Sequence, residues 1–379
     1  MREIHDLEAF DRQCAATHRL DGVVVQGVDL SERDETLRSI SCVGATFLGC
    51  RIDGDTLAAV LDGGAVVFPN LPALPFRPYR PTLYTQGELL EGWDPDRPGS
   101  FESDSRDSRI YAWASQHPHG TNLPVIDSLA QRLHDHAIDD AMGEHLASLP
   151  TPGDVVAVMG GHALRRNEPL YRTVVELGRA MTREGWHVAT GGGPGAMEAA
   201  NLGAWLATVD NREASDAIDR SIELLSAETE YGRADEYLRA GESVLAEFPD
   251  GAESLAVPTW FYGHEPTNQF ATHVAKYFAN SIREDGLLAI ATRGVVFAPG
   301  AAGTTQEVFQ DATQNHYAVF GSASPMVFLD STFWRERLPA EPLLRTLAGD
   351  RPYATLIGSV DTAAEAIAFL RDHPPVDVG

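Results

Sequence analysis

The stretch of sequence that decides the fold is HVATGGGPGAMEAANLGAWLA, residues 187–207. Four residues typical of a buried strand lead into a glycine-rich turn, and a run with helical character follows directly. A second stretch, GVVFAPGAAGTTQEVFQDATQNHY (294–317), repeats the order of strand, glycine turn and helix. Each turn therefore connects the end of a strand to the start of a helix.

Further strands and helices alternate on both sides of these two stretches. Apolar runs at 155–159, 255–262, 325–330 and 354–358 predict strands, and helices are expected at 168–183 and 269–285. Uninterrupted apolar strands that alternate with helices are typical of a parallel sheet covered on both faces. The sequence therefore predicts an α/β fold, a Rossmann-like domain over 151–379, with an acidic helical insertion near 208–250.

The two glycine turns predict a binding site for an anion. Parallel sheets of this kind bind ligands beyond the carboxyl ends of their strands, where both turns are expected. A helix N-terminus offers unpaired amides and partial positive charge, and glycine lets the backbone approach a phosphate closely. A single such turn is also compatible with no ligand at all. Two turns at equivalent ends of one sheet favour a common anion site.

The N-terminal part has a different pattern and no motif that indicates a function. Residues 1–100 carry short alternating runs that predict short strands, with a hint of a small β-solenoid-like stack, before a proline-rich segment. The charged segment 94–109 has the composition of an exposed linker. Residues 101–150 are expected to form this linker and a helix beginning near Asn122. The chain is thus divided into 1–100, 101–150 and 151–379.

Composition restricts the possible partners. A formal charge of −26 argues against nucleic-acid polymers as partners, because a phosphate backbone needs a basic surface, but it permits a small phosphorylated ligand. No apolar run is long enough for a membrane span, and no secretory signal is present, so a cytoplasmic location without membrane contact is expected. No metal site is expected, because His134, Asp135, His136 and Asp139 fit a solvated helix face. The three cysteines, Cys14, Cys42 and Cys50, suggest buried thiols.

The glycine turns resemble the motifs of the LOG family, the lysine-decarboxylase-like Rossmann proteins that are mostly nucleotide phosphoribohydrolases. GGGPGAMEAA (191–200) is similar to the family's GGGxxGxM turn, and PGAAGTTQE (299–307) is similar to its PGGxGTxxE. The segment GPGAMEA (193–199) most resembles the corresponding sequence of the larger bacterial nucleotide 5′-monophosphate nucleosidases of this group. The residues thereby predicted to bind phosphate or nucleotide are Gly160, Gly161, Gly191, Gly192, Gly193, Gly195, Met197, Glu198, Pro299, Gly300, Gly303 and Thr304.

The resemblance implies hydrolysis of the N-glycosidic bond of a nucleoside 5′-monophosphate, without a cofactor, by a homodimer or higher homo-oligomer. The family's catalytic glutamate corresponds to Glu307, and its catalytic arginine to Arg283, which lies one residue further from the second motif than is usual. Glu284 and Ala301 also depart from the family pattern. A rival alignment places His273 and Lys276, the single lysine of the chain, at the site instead.

Three other functions compete with this one. A nucleotide-binding sensor that retained the phosphate turns and lost the chemistry is the alternative that the departures favour. A lysine decarboxylase is disfavoured because nothing indicates a pyridoxal-phosphate site. An NAD-dependent enzyme is disfavoured because GxGxxG with an acidic residue about 20 positions later is not present in clean form.

Overall fold

The computed structural model describes residues 3–71, 73–116 and 123–378, and Asn122 lies outside these ranges. The chain forms two compact units. The first consists of Met1–Leu83 with Gly120–Glu144, and the second of Tyr84–His119 with His145–Gly379. Both glycine turns belong to the second unit. Among the described helices, none combines the length and the apolar character needed to cross a bilayer.

The first unit contains a small parallel sheet. Its strands follow one another in chain order, and Val24 pairs with Thr46, which in turn pairs with Val66. Val25 and Phe47 are completely buried between the sheet and the connecting helices. The elements are β1 (Glu3–Ile4), α1 (Leu7–Thr17), β2 (Val24–Gln26), α2 (Asp34–Ser39), β3 (Thr46–Leu48), α3 (Gly54–Asp62) and β4 (Val66–Phe68). The sheet agrees with the predicted short strands, and all three cysteines are buried.

Helices precede the main sheet of the chain. They are α4 (Gln86–Leu89), α5 (Ser100–Asp104), α6 (Arg106–Ala114) and α7 (Val125–Ser148). The expectation of an exposed linker over 94–109 is wrong, because Phe101 and Asp107 are buried. Asp235, far along the chain, accepts hydrogen bonds from the Trp93 indole and from the backbone of this segment, so its polar groups are satisfied inside the protein.

The second unit is built on a seven-stranded sheet in the order β12-β11-β9-β5-β6-β7-β8, in which every neighbouring pair is parallel. The predicted parallel α/β fold is therefore confirmed. A separate antiparallel pair joins β10 to β13. The strands are β5 (Val155–Met159), β6 (His187–Thr190), β7 (Leu255–Ala256), β8 (His273–Val274), β9 (Gly294–Phe297), β10 (Ser322–Ala323), β11 (Met326–Leu329), β12 (Ile357–Val360) and β13 (Val376–Asp377).

Helices flank this sheet, and its strands are buried on both faces. Val156, Val158 and Val296 point into a core shared with α8, α9 and α15, while the alternate residues Ala157 and Phe297 are equally inaccessible. The helices are α8 (Pro169–Arg183), α9 (Ala196–Trp205), α10 (Ala214–Leu225), α11 (Ala234–Glu247), α12 (Asn280–Ile290), α13 (Ala302–Tyr317), α14 (Ala340–Ala348) and α15 (Ala363–Asp372), with 3-10 turns at Leu206–Thr208 and Pro352–Leu356 and a π-helical turn at Phe333–Arg337.

One predicted helix is wrong over most of its length. The sequence indicated a helix over 269–285, but residues 270–279 are not helical, and α12 begins only at Asn280. His273 and Val274 instead form β8, which pairs with β7 at the edge of the sheet. The insertion near 208–250 is helical as predicted, since it holds α10 and α11.

Candidate functional site

A single cavity of about 860 Å³ contains most of the predicted site residues. It lies in the second unit at the carboxyl ends of β5, β6 and β9, where parallel sheets bind ligands. Both glycine turns form its wall, so they face a common space as predicted. The predicted residues on the wall are Gly160, Gly161, Gly191, Gly192, Gly193, Met197, Pro299, Gly300, Gly303, Thr304, Arg283 and Glu307.

Gly161 holds the two turns together. Its N–H donates to the carbonyl of Pro299 at 3.0 Å, and its own carbonyl accepts from the N–H of Ala196 at 3.2 Å. A Cβ at Gly161 would stand 3.2 Å from the Cα of Gly300, which leaves little room for any side chain. The backbone after β5 thus fixes the start of α9 relative to the turn after β9.

Two predicted residues, Gly195 and Glu198, lie outside the cavity wall. Gly195 has φ of +73°, and a Cβ there would lie 2.4 Å from the carbonyl oxygen of Gly161, so only glycine fits. The buried Glu198 carboxylate pairs with Arg166 and accepts from the hydroxyls of Tyr171 and Tyr237. Both residues therefore shape the first turn and its helix, and neither lines the cavity.

Arg283 lies beside Glu307, as the alignment that pairs these two residues requires. It lies in the first turn of α12, and its guanidinium donates to the carbonyl of Val257 at 2.8 Å and to that of Gly191 at 3.4 Å. Nη1 is 3.5 Å from Oε1 of Glu307. Arg283 therefore connects the first glycine turn to the carboxylate that follows the second.

The residues of the rival alignment have other partners. His273 lies on β8, and its ring centroid is 4.0 Å from that of His145. Lys276 reaches the cavity wall, but its Nζ donates to the Asp107 carboxylate at 2.8 Å and is buried. The geometry therefore favours Arg283 as the arginine of the site.

Glu307 is a buried carboxylate with an unusual pKa. It lies in the second turn of α13, and its side chain is 12% exposed. Burial raises the pKa of Glu307 to about 7; the charge of Arg283 opposes this shift, and that of Glu284 adds to it. A carboxyl group with a pKa near neutrality is suited to proton transfer at physiological pH, which a solvated acid at a helix start is not.

Glu284 is a second carboxylate of the site, which the sequence presented only as a departure from a family motif. It is 4% exposed, lines the cavity, and accepts a hydrogen bond from the side-chain amide of Gln306. Its carboxylate is 3.8 Å from the Arg283 guanidinium. One arginine thus stands between two buried acids, Glu284 and Glu307, at the end of the cavity.

Asp107 lies in the segment predicted as a linker, and no motif of the sequence pointed to it as a site residue. Its carboxylate accepts from the Trp260 indole at 2.7 Å, from the Thr267 hydroxyl at 2.9 Å and from Lys276. Burial opposes its ionisation, but the charge of Lys276 holds the pKa of Asp107 below its ordinary value. This ion pair fixes the cavity wall from behind. The expectation that His134, Asp135, His136 and Asp139 form a solvated helix face is wrong for His134 and Asp135, which are buried.

Comparison with known protein families agrees with the motif of the first turn. Residues 154–208 match the model of the SLOG cluster4 family. This match is consistent with the resemblance of the first glycine turn to the LOG family. The matched segment holds β5, α8, β6 and the first glycine turn, whereas the second turn lies beyond it.

Several solved structures are similar to part of this chain. The molybdenum cofactor binding protein from Rippkaea orientalis is 14% identical, with a TM-score of 0.36 over 57% of this chain and 95% of that one. The molybdenum cofactor carrier protein from Chlamydomonas reinhardtii is 18% identical, with a TM-score of 0.35 over 57% and 96%. The protein named TM1055 is 19% identical, with a TM-score of 0.37 over 58% and 99%. No curated protein matches the sequence significantly.

Proposed function

We propose that the protein hydrolyses the N-glycosidic bond of a nucleoside 5′-monophosphate and releases the free base and ribose 5-phosphate. The observation that supports this most is the position of Glu307. Its buried carboxyl, with a pKa of about 7, stands 3.5 Å from Arg283 in a cavity walled by both glycine turns. A phosphate cradle, a tuned carboxyl and an arginine are the groups that this reaction needs.

The glycine turns would hold the 5′-phosphate. The backbone from Gly300 to Thr304 forms the N-terminus of α13 on the cavity wall, and its amides and helix dipole favour a bound anion. Ala301 replaces a glycine of the family motif at this point. Its φ of −111° lies outside the left-handed region that favours glycine.

Glu307 and Arg283 would act on the sugar. Cleavage of the bond between C1′ and the base nitrogen develops positive charge on the ribose, which a carboxylate beside it stabilises. A water molecule adds its oxygen to C1′ and gives one proton to the Glu307 carboxylate. The base leaves with the electron pair of the broken bond and takes up one proton from solvent, and Glu307 then returns its proton to solvent. Arg283 keeps the Glu307 carboxylate in place and offers further donors to the ribose or the phosphate.

The test is release of products from a panel of purine and pyrimidine nucleoside monophosphates. Chromatography should detect free base and ribose 5-phosphate in equal amounts with the wild-type protein. Glu307→Gln should lose turnover and keep nucleotide binding, because the carboxylate acts in the transition state. Glu213→Gln provides a matched control, since Glu213 is an exposed carboxylate outside the cavity wall.

The same experiment separates catalysis from mere binding. Wild-type protein that binds the monophosphates and releases no base would contradict the hydrolase and leave a nucleotide-binding protein. Two residues bear on this alternative, because Glu284 and Ala301 depart from the family motif and both line the cavity. Glu284→Lys, which restores the residue type usual in the family, is expected to change the rate if Glu284 tunes the pKa of Glu307.

A further inference from the structure

The cavity extends beyond the two glycine turns to a third strand end. The wall includes Asp330, Phe333 and Arg337, which follow β11, the neighbour of β9 in the sheet. No sequence motif singled out this segment. A phosphate held at the turns after β6 and β9 leaves the β11 end of the cavity for another part of the ligand.

The backbone at this end is unusual in two ways. Asp330 has φ of +71°, a left-handed conformation that residues other than glycine rarely adopt. Three residues later the chain forms a π-helical turn, Phe333–Arg337. Strained residues and π turns are concentrated at functional sites. Each one lowers the stability of the fold, so its presence indicates a role other than packing.

Specific contacts hold this turn against the phosphate-binding strand. The Asp330 carboxylate accepts from the N–H of Phe333 at 3.0 Å. The fully buried Trp334 donates from its indole to the carbonyl of Phe297, the last residue of β9, at 3.0 Å. Because Trp334 is fixed in this way, its neighbour Phe333 is directed to the cavity wall, packed at 85° against the Trp334 ring.

Arg337 adds a cation to this aromatic side chain. Its guanidinium carbon lies 5.5 Å from the centre of the Phe333 ring. Over the described part of the chain, no carboxylate within ion-pairing distance of Arg337 is found, whereas Arg335 on the same turn pairs with Glu341. In a protein with a formal charge of −26, an arginine on a cavity wall without an acidic partner is available to a ligand.

We infer that Phe333 and Arg337 form the binding surface for the nucleobase, which stacks on the phenyl ring and the guanidinium plane. This inference rests on the proposed nucleotide substrate. Aromatic rings and arginine planes are the surfaces on which unpaired bases stack in proteins, and such stacking accepts any base. The class of ligand is therefore a nucleotide whose base is held mainly by stacking, with purines favoured by their larger ring area.

The experiment compares two ligands that share the phosphate and differ in the base. Calorimetry in the Glu307→Gln background, which prevents consumption of substrate, measures Kd for a purine nucleoside monophosphate and for ribose 5-phosphate. Phe333→Ala and Arg337→Ala should each weaken the nucleotide by roughly tenfold and leave ribose 5-phosphate unchanged. Phe333→Leu, which keeps the apolar volume and removes the ring face, should behave like Phe333→Ala.

Two variants serve as controls. Arg335→Ala removes an exposed arginine from the same turn that lies outside the cavity wall, and it should not change either Kd. Tyr262→Ala removes a different aromatic side chain from the wall, one that is 70% exposed on the loop after β7, and it should leave the preference for nucleotide over ribose 5-phosphate intact.

Several results would overturn the inference. The inference fails if the Phe333→Ala and Arg337→Ala variants bind the nucleotide as tightly as the Glu307→Gln background. It also fails if these substitutions weaken the binding of nucleotide and ribose 5-phosphate equally. A nucleoside diphosphate is measured in the same way, and loss of affinity by Arg337→Ala for the diphosphate alone would overturn the inference, because it would assign Arg337 to the second phosphate. Wild-type protein that shows the stacking preference and releases no base would contradict the proposed hydrolysis alone, so the two failures are distinguishable.

Discussion

Replacing Glu307 by glutamine should make the folded protein more stable at neutral and alkaline pH while it removes activity. Burial raises the pKa of this carboxyl from an ordinary 4.5 to about 7. Between these two values the unfolded chain loses the proton and the folded protein keeps it, so the free energy of unfolding falls as the pH rises. Above pH 7 the full difference is present, about 3 kcal/mol from the two pKa values.

The size of this effect depends on pH in a way that a packing effect does not. Glutamine has the shape of glutamate and carries no proton equilibrium, so the variant avoids the cost of burying the charge. The gain should be about 1 kcal/mol or less at pH 5 and about 3 kcal/mol at pH 8. Urea unfolding followed by tryptophan fluorescence at both pH values measures it.

The matched control is Glu213→Gln, which changes an exposed carboxylate and should give equal stability to wild type at both pH values. A Glu307→Gln variant whose stability difference is the same at pH 5 and pH 8 would refute the raised pKa. So would a variant that is destabilised at pH 8, because it would show that the charged carboxylate is held favourably by Arg283.

Four further predictions follow from the same structure. Arg283→Ala should weaken nucleotide binding by roughly tenfold, whereas Arg212→Ala, at a highly exposed arginine, should not, and equal affinities by calorimetry would remove Arg283 from the site. Asp107→Asn should lower the free energy of unfolding by about 3–5 kcal/mol, because it leaves Lys276 charged and buried, and a loss below 1 kcal/mol in urea unfolding would contradict this. The rate of base release should rise with pH through about 7 as Glu307 ionises, and a rate profile that is flat between pH 5 and 8 would argue against Glu307 as the base. Light scattering should give the mass of a dimer or larger oligomer, with the exposed side chains of Tyr317, Val319 and Phe320 in the interface. Phe320→Asp should therefore reduce the measured mass, and a monomeric wild-type protein would exclude this interface.

The parallel sheet could be predicted because its signals are local. The strands β5, β6, β9 and β11 are buried along their whole length, so they appear as short, mostly apolar runs, and the glycine turns mark where two of them end. The pairing of Arg283 with Glu307 was implied by the resemblance to the family's motifs, although Arg283 lies one residue further from the second motif than is usual. Its catalytic role stays a prediction until turnover is measured.

Other parts of the site were not predictable, because they depend on residues distant in sequence. The segment 94–109 is polar, and nothing local shows that Asp235 satisfies its backbone or that Asp107 pairs with Lys276, 169 positions later. The edge strand β8 is only two residues long, too short for alternation to distinguish it from the start of a helix. The raised pKa of Glu307 arises from burial, which a sequence motif does not reveal.

The buried position of Lys276 has a consequence for chemistry performed on the whole protein. It is the single lysine of the chain, it is paired with Asp107, and its side chain is 6% exposed on the cavity wall. Reagents that modify amines, such as those for reductive methylation or succinimidyl cross-linking, therefore have one side-chain target in the folded state, and they must enter the cavity to reach it. The extent of Lys276 modification, measured by mass spectrometry, would report whether the cavity is open to the reagent. A small molecule bound in the cavity would lower this modification, so its binding could be detected even when its identity is unknown.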